Sequence, residues 1–197
     1  MDKIDIFPDA PIYGKGVVSA EFARRGIGRF LEACNHVRQM PYGYNSDRDD
    51  LLILLREGFG TCTTKHAVIA TLAEELDLPV FKNIGIYAMT EEIVTGTGEI
   101  LKAFNLPYIP MVHCFLVHAH YRVDLTEGNR NGKNCGIDQF LHTAEVIPNI
   151  TAKDEYLFYR TALKEHVLVR QEFQGINIKR ILQAREKGLA RLKANIT

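Results

Sequence analysis

The order in which hydrophobic periodicity changes along the chain constrains its fold most: helical spacing comes first, β-type stretches follow, and helical spacing returns. After an extended start to about Lys15, the residues Phe22, Ile27, Phe30, Leu31, Cys34 and Val37 recur at helical intervals. They predict one helix that stops near Met40, because Pro41 disfavours the α conformation in the residue before it. A second helix is expected over 47–57, broken by Gly58-Phe59-Gly60. A third runs from Thr61, as N-cap, to about Asp77, with Val68, Ile69, Leu72, Ala73 and Leu76 as a stripe one face wide. Residues 80–89 read as a strand, 90–104 as a helix interrupted by Gly96 and Gly98, 105–110 as a loop, and strands return at Met111. Residues 127–137 are a loop by composition, and 151–196 is helical twice, with a break around Gly175. Helices, then strands, then helices define the α+β class with an antiparallel sheet.

A chain of 197 residues with 46% apolar content can bury one sizeable core, and no repeat, low-complexity run or Ser/Gly linker divides it. The expectation is a single domain over 1–197, its core at about 18–148 and a C-terminal helical extension at about 151–197. Basic and acidic side chains balance at 24 each, so no net field steers the protein onto nucleic acid or an anionic membrane. No apolar run approaches the roughly 18 residues of a membrane span. Neither nucleic acid nor membrane is therefore an expected partner. The N-terminal Met1-Asp2-Lys3-Ile4-Asp5-Ile6 carries two acids and no apolar core, unlike a signal or transit peptide, and a cytoplasmic location is expected. Cys34, Cys62, Cys114 and Cys135 form no CxxC pair and are expected to be reduced, each either core filler or reactive thiol.

Cys62 is the candidate nucleophile. In the first turn of the third helix, backbone N–H groups and the macrodipole favour a thiolate. Lys65 and His66, in or beside that turn, oppose the positive dipole end but favour an anionic sulfur. Gly58 and Gly60 let backbone approach a ligand closely. The competing reading makes Cys62 a small buried hydrophobe; His66, one turn further on, is a candidate rival base but is read as a packing or supporting residue.

The stretch MVHCFLVHAHYRVDLT, starting at Met111, reads as a hairpin. A two-residue loop at His118-Ala119 sets His113 opposite Asp124 and Leu116 opposite Tyr121. One face then carries Cys114, Leu116, Tyr121 and Val123, and the other His113, Phe115, Val117, His120, Arg122 and Asp124. A shift of register preserves these faces only if it is even. His113 as base and Asp124 as its orienter complete a triad with Cys62.

The segment Gly58-Phe59-Gly60-Thr61-Cys62-Thr63-Thr64-Lys65-His66, followed by an apolar helix and Leu78-Pro79-Val80, resembles the nucleophile segment of the transglutaminase-like superfamily. His113 with the apolar residues after it, and Tyr121-Arg122-Val123-Asp124-Leu125-Thr126, are similar to that superfamily's histidine and aspartate segments; the resemblance covers roughly 55–126. It implies a papain-like arrangement, with a nucleophile helix packed on an antiparallel sheet, and thioester chemistry on an amide or peptide carbonyl. Hydrolysis by a cysteine peptidase or amidase is the leading expectation, with a peptide, protein or small amide as substrate. The alternatives are a cross-linking transglutaminase and a non-catalytic interaction domain that retains the fold.

The Cys62 N–H is the expected first oxyanion donor, with Gly60 and Thr61 lining the substrate side and Gln39, Tyr44 and Asn45 as candidates for the second donor. No cofactor and no metal are expected; a metal reading would use His113, His118 and His120, which lack a further carboxylate or thiol at ligand spacing. The basic C-terminal stretch, with Lys179, Arg180, Arg185, Lys187, Arg191 and Lys193, reads as the solvated side of an amphipathic helix.

Overall fold

The computed structural model describes residues 3–196, with Lys3 described by its backbone alone. Met1 and Asp2, which enter the reading of the N-terminal segment, lie outside the described residues. The helices are α1 (Val17–Arg24), α2 (Phe30–Gln39), α3 (Ile53–Glu57), α4 (Cys62–Glu75), α5 (Thr97–Phe104), α6 (Ala152–Ala162) and α7 (Ile178–Ala194). The strands are β1 (Phe81–Met89), β2 (Ile109–His118), β3 (Tyr121–Val123) and β4 (His142–Glu145). They form one antiparallel sheet in the order β3-β2-β1-β4, so the protein is of the α+β class. Among the described residues no helix is long and apolar enough to cross a membrane.

The chain divides into two compact units. The first draws on residues up to Ile84, Cys114–Asn129 and Glu145–Ala152; the second on Gly85–His113, Arg130–Ala144 and the residues from Lys153 onward. Tyr159 of α6 and Ile181 of α7 are part of the second unit's core.

In the first unit α4 packs against α1, α2 and α3. Phe22, Phe30, Leu54, Ile69 and Leu72 are fully buried there, each stabilising the fold by about 1.5–3 kcal/mol relative to exposure. Every residue from Cys62 to Ala70 is buried, so the first half of α4 is enclosed on all sides rather than along the single expected stripe. The polar side chains of Thr63, Thr64, Lys65 and His66 go in with it.

The single helix expected between Phe22 and Val37 is two. Gly26 takes a left-handed φ of 77°, Ile27 N–H reaches back to the Phe22 carbonyl at 3.0 Å, and Gly26 N–H bonds the Ala23 carbonyl at 3.0 Å. This Schellman closure ends α1, and the periodic apolar residues span the break because both helices face the same core. Carboxylates from elsewhere in the chain supply the missing caps. Glu75 accepts the Val18 and Ser19 N–H groups at 2.9 and 2.6 Å, and Asp9 accepts Leu31 N–H at 3.1 Å.

The helix expected over 47–57 is confined to α3. Asp47 accepts Asp49 N–H and Asp50 accepts Leu52 N–H, both at 3.0 Å. These local side-chain bonds compete with helical ones and turn the chain instead.

The second unit has its own core, in which Tyr87, Ile86, Ile109, Tyr159, Leu163 and Ile181 are buried. Its α5 packs on α7. Tyr159 donates its hydroxyl to the Pro110 carbonyl at 2.8 Å, while the Arg185 guanidinium lies 4.9 Å from the Tyr159 ring centre. Strand β4 was absent from the sequence reading: its residues His-Thr-Ala-Glu alternate between half-buried and exposed and carry little strand propensity.

The hairpin register also differs from the expected one. The observed pairs are Leu116–Val123, Val117–Arg122 and His118–Tyr121, which moves the loop to Ala119-His120. Ala119 takes the left-handed φ of 52° that the tight turn requires. The partner of Leu116 shifts by two positions, so the shift is even and the two faces keep their composition. Direct cross-strand pairing of His113 with Asp124 is not part of this register.

Candidate active site

Cys62 is the first residue of α4, a helix of 14 residues. Its N-cap, Thr61, is extended (φ −84°, ψ 177°), its side chain makes no capping bond, and the first turn contains no acid. This end of the helix therefore presents its positive pole to the thiol. Cys62 is 8% exposed, whereas Cys34 and Cys114 are at 0%. Burial drives the Cys34 thiol far above the ordinary thiol range, as expected of core filler. Cys114 lies 3.8 Å from Thr63 Oγ1, and Cys135 is exposed.

The turn after α2 folds onto the segment before Cys62. Gly60 N–H bonds the Pro41 carbonyl at 3.1 Å, Gly43 N–H bonds the Gly60 carbonyl at 3.3 Å, and Tyr42 pairs with Gly60 in a parallel bridge. Gly60 is required here, since an added Cβ would meet Leu54 Cδ1 at 2.5 Å and overlap Thr64 Oγ1.

Asn45 lies at the centre of this contact. Its amide donates to Glu57 Oε2 at 2.9 Å and to the Phe59 carbonyl at 2.7 Å, and its oxygen accepts Thr64 Oγ1–H at 2.8 Å. Both amide hydrogens are thus committed to the scaffold, and Asn45 positions the nucleophile loop instead of serving as an oxyanion donor. The bonds from Ser46 and Asn45 also hold the Glu57 carboxyl below its usual range. Gln39 ends α2 with its side chain exposed. Tyr44, 39% exposed, packs edge-to-face with Tyr42 at 6.5 Å.

Four residues after Cys62, the fully buried His66 places Nδ1 at 2.7 Å from the Cys62 carbonyl oxygen. Its Nε2 accepts the Leu125 N–H at 2.9 Å and stands 3.5 Å from Asp124 Oδ1. That same oxygen accepts Thr126 N–H at 2.8 Å and Thr126 Oγ1–H at 2.7 Å, an Asx turn that fixes the carboxylate as the chain leaves β3. The structure thus joins Cys62, His66 and Asp124 within the first unit.

Two lysines are buried here, Lys65 on α4 itself and Lys82 on β1. Lys65 donates to the Met40 carbonyl and to Asn129 Oδ1, both at 2.5 Å, and to the Arg38 carbonyl at 3.4 Å. Burial pushes its ammonium down to about 8, against the pull of the Asp124 carboxylate. Lys82, on β1, reaches the Thr63 and Pro148 carbonyls at 3.1 and 2.8 Å.

His113 lies in the part of β2 that belongs to the second unit. It is 2% exposed, and Tyr87 meets it edge-to-face with ring centres 6.4 Å apart. His118 bonds the Pro79 carbonyl at 2.8 Å through Nδ1 and packs on Phe7, while His120 is exposed in the hairpin loop.

The sequence reading missed Lys82, Asn129 and Thr126 as partners of this region. Asp124-Leu125-Thr126 is legible as an Asx turn; the other two come from distant segments and leave no local signal. Comparison of the chain with models of protein families, with characterised proteins and with solved structures finds no match.

Proposed function

We propose that this protein is a thiol-dependent acyl-transfer enzyme of transglutaminase-like fold that attacks an amide or peptide carbonyl and releases its product by hydrolysis. The observation that carries this reading is the position of Cys62, at the uncapped positive end of a buried helix and the only buried cysteine that is not wholly enclosed among Cys34, Cys62 and Cys114. The anchored Asp124 carboxylate supports it, and the sequence pattern assigns the base to His113.

In this scheme the Cys62 thiolate forms a C–S bond to the substrate carbonyl carbon while charge develops on the carbonyl oxygen. The Cys62 N–H stabilises that oxygen. As the C–N bond breaks, the His113 imidazolium gives its proton to the leaving amine, leaving a thioester. The neutral imidazole then takes a proton from water, which attacks the thioester and returns the thiol and a carboxylic acid. Asp124 orients the imidazole and balances its charge. The proposed substrate is a peptide, a protein or a small amide.

A generic acyl donor tests the reading without knowledge of the substrate. With p-nitrophenyl acetate, a burst of nitrophenolate and an acetyl group on Cys62 in intact-mass and peptide analysis are expected. Cys62→Ser should lose on the order of 10³-fold in rate. Acetylation confined to the exposed Cys135 contradicts the proposal.

A further inference from the structure

We infer that His66 is a positioning residue of this thiol site, a brace that fixes the nucleophile's residue and the aspartate segment in one frame; the inference rests on the reading proposed above. Each ring nitrogen has a backbone partner that dictates its state. The Cys62 carbonyl can only accept, so Nδ1, 2.7 Å away, carries the proton. The Leu125 N–H can only donate, so Nε2, 2.9 Å away, carries none. The ring is therefore the neutral Nδ1–H tautomer, and its 3.5 Å approach to Asp124 Oδ1 is not an ion pair.

A ring with both nitrogens bound to backbone and no exposed surface is poorly suited to shuttle protons to a substrate. It is well suited to set a distance. One end grips the carbonyl of the residue that bears the thiol, and the other grips the peptide directly after Asp124. The Asp124–Thr126 turn adds two bonds to Oδ1, which pass the constraint from the Leu125 amide to the carboxylate. An apolar side chain of similar size would fill the space but leave the Leu125 N–H without its acceptor. The charged neighbours in this arrangement are Asp124 itself and Lys65, whose ammonium feels the Asp124 carboxylate.

The test compares wild type, His66→Asn, His66→Gln, Asp124→Asn and the double variant His66→Asn/Asp124→Asn, using iodoacetamide as probe. An asparagine keeps a donor near the Nδ1 position but loses the acceptor for Leu125, whereas a glutamine can offer Leu125 an amide oxygen. In His66→Asn, hydrogen exchange at the Leu125 amide should accelerate about tenfold. Alkylation of Cys62 at pH 6 should slow about tenfold, the equivalent of one pK unit. His66→Gln should recover most of both losses. The double variant should be no slower than Asp124→Asn, because His66 acts through that segment.

Faster exchange at Leu125 with an unmoved alkylation profile would reduce His66 to a stability role and overturn the inference. Losses that multiply in the double variant also overturn it. If wild-type Cys62 titrates as an ordinary thiol, the enzymatic reading falls and this inference with it. A low-pH wild-type profile that His66→Asn leaves unchanged removes this inference alone. Should His66→Asn fail to fold, His66→Leu, which fills the space but leaves the Leu125 N–H without its acceptor, takes its place in the same comparison.

Discussion

Lys65 and Asn129 meet through a 2.5 Å hydrogen bond from Nζ to Oδ1. The same ammonium takes the Met40 and Arg38 carbonyls, and Asn129 Nδ2 donates to the Arg38 carbonyl at 2.9 Å. One buried cation thus satisfies carbonyls at the C-terminal end of α2, where the helix dipole is negative, and ties the chain after β3 to them.

Replacing this cation exposes its linkage to pH. The Lys65 ammonium titrates near 8 in the folded protein against 10.5 for an ordinary lysine. Between these values the unfolded chain binds the extra proton, so this group's contribution to stability rises with pH across that window. Wild type should therefore gain on Lys65→Met in urea denaturation as pH goes from 8 to 10. At pH 7 the variant should be less stable by about 1–3 kcal/mol, since its acceptors lose their donor. A stability difference that stays constant with pH contradicts the assignment.

Asn45 makes three bonds that hold the loop before Cys62. Asn45→Ala should cost about 1–3 kcal/mol in chemical denaturation and slow Cys62 acetylation, because the loop that bears the thiol loses its anchor. Asn45→Asp should rescue only the acceptor function towards Thr64. Unchanged acetylation in Asn45→Ala would show that the loop is held without it.

Glu75, at the end of α4, caps α1 through Val18 and Ser19. Glu75→Ala should destabilise the protein by about 1–2 kcal/mol, while Glu75→Gln, which keeps one acceptor, should cost less. A thermal melt of the two variants separates the outcomes; equal loss in both would point to charge rather than to capping geometry.

His142 stacks on His166 with ring centres 3.8 Å apart and planes inclined by 11°. Burial, with the His166 charge as a second cause, lowers the His142 pKa below the ordinary 6.5, while Glu165 pulls the other way. The unfolded chain then binds a proton at a pH where the folded one does not. Stability should fall as pH drops below about 6.5. His142→Phe, which keeps a ring against His166 and Phe158, should flatten that dependence in pH-resolved melts. An unchanged acid slope would place the titrating group elsewhere.

Local chemistry made part of this fold legible. The α4 boundary followed from Thr61 before an apolar run, and β1 from a β-branched and aromatic stretch. The Gly26 break between α1 and α2 was masked because apolar residues on both sides share one core, so periodicity ran through it. The Asp47 and Asp50 turns were hidden by the leucines that follow them, which hold helical spacing although the backbone does not. In the candidate site, Cys62 and Asp124 carry short-range signals, a helix start and an Asx turn. The bonds of His66 to Leu125 and of Lys65 to Asn129 span 59 and 64 positions, and no window of sequence reports them.

The proposed activation of the Cys62 thiol by His113 is open to a direct check in the pH profile of Cys62 alkylation by iodoacetamide. Cys34, Cys114 and Cys135 serve as internal controls in peptide mass spectrometry. Selective reaction of Cys62 well below pH 8 in wild type, lost in His113→Ala, is the expected result. A Cys62 that reacts like an ordinary or enclosed thiol in both proteins contradicts it.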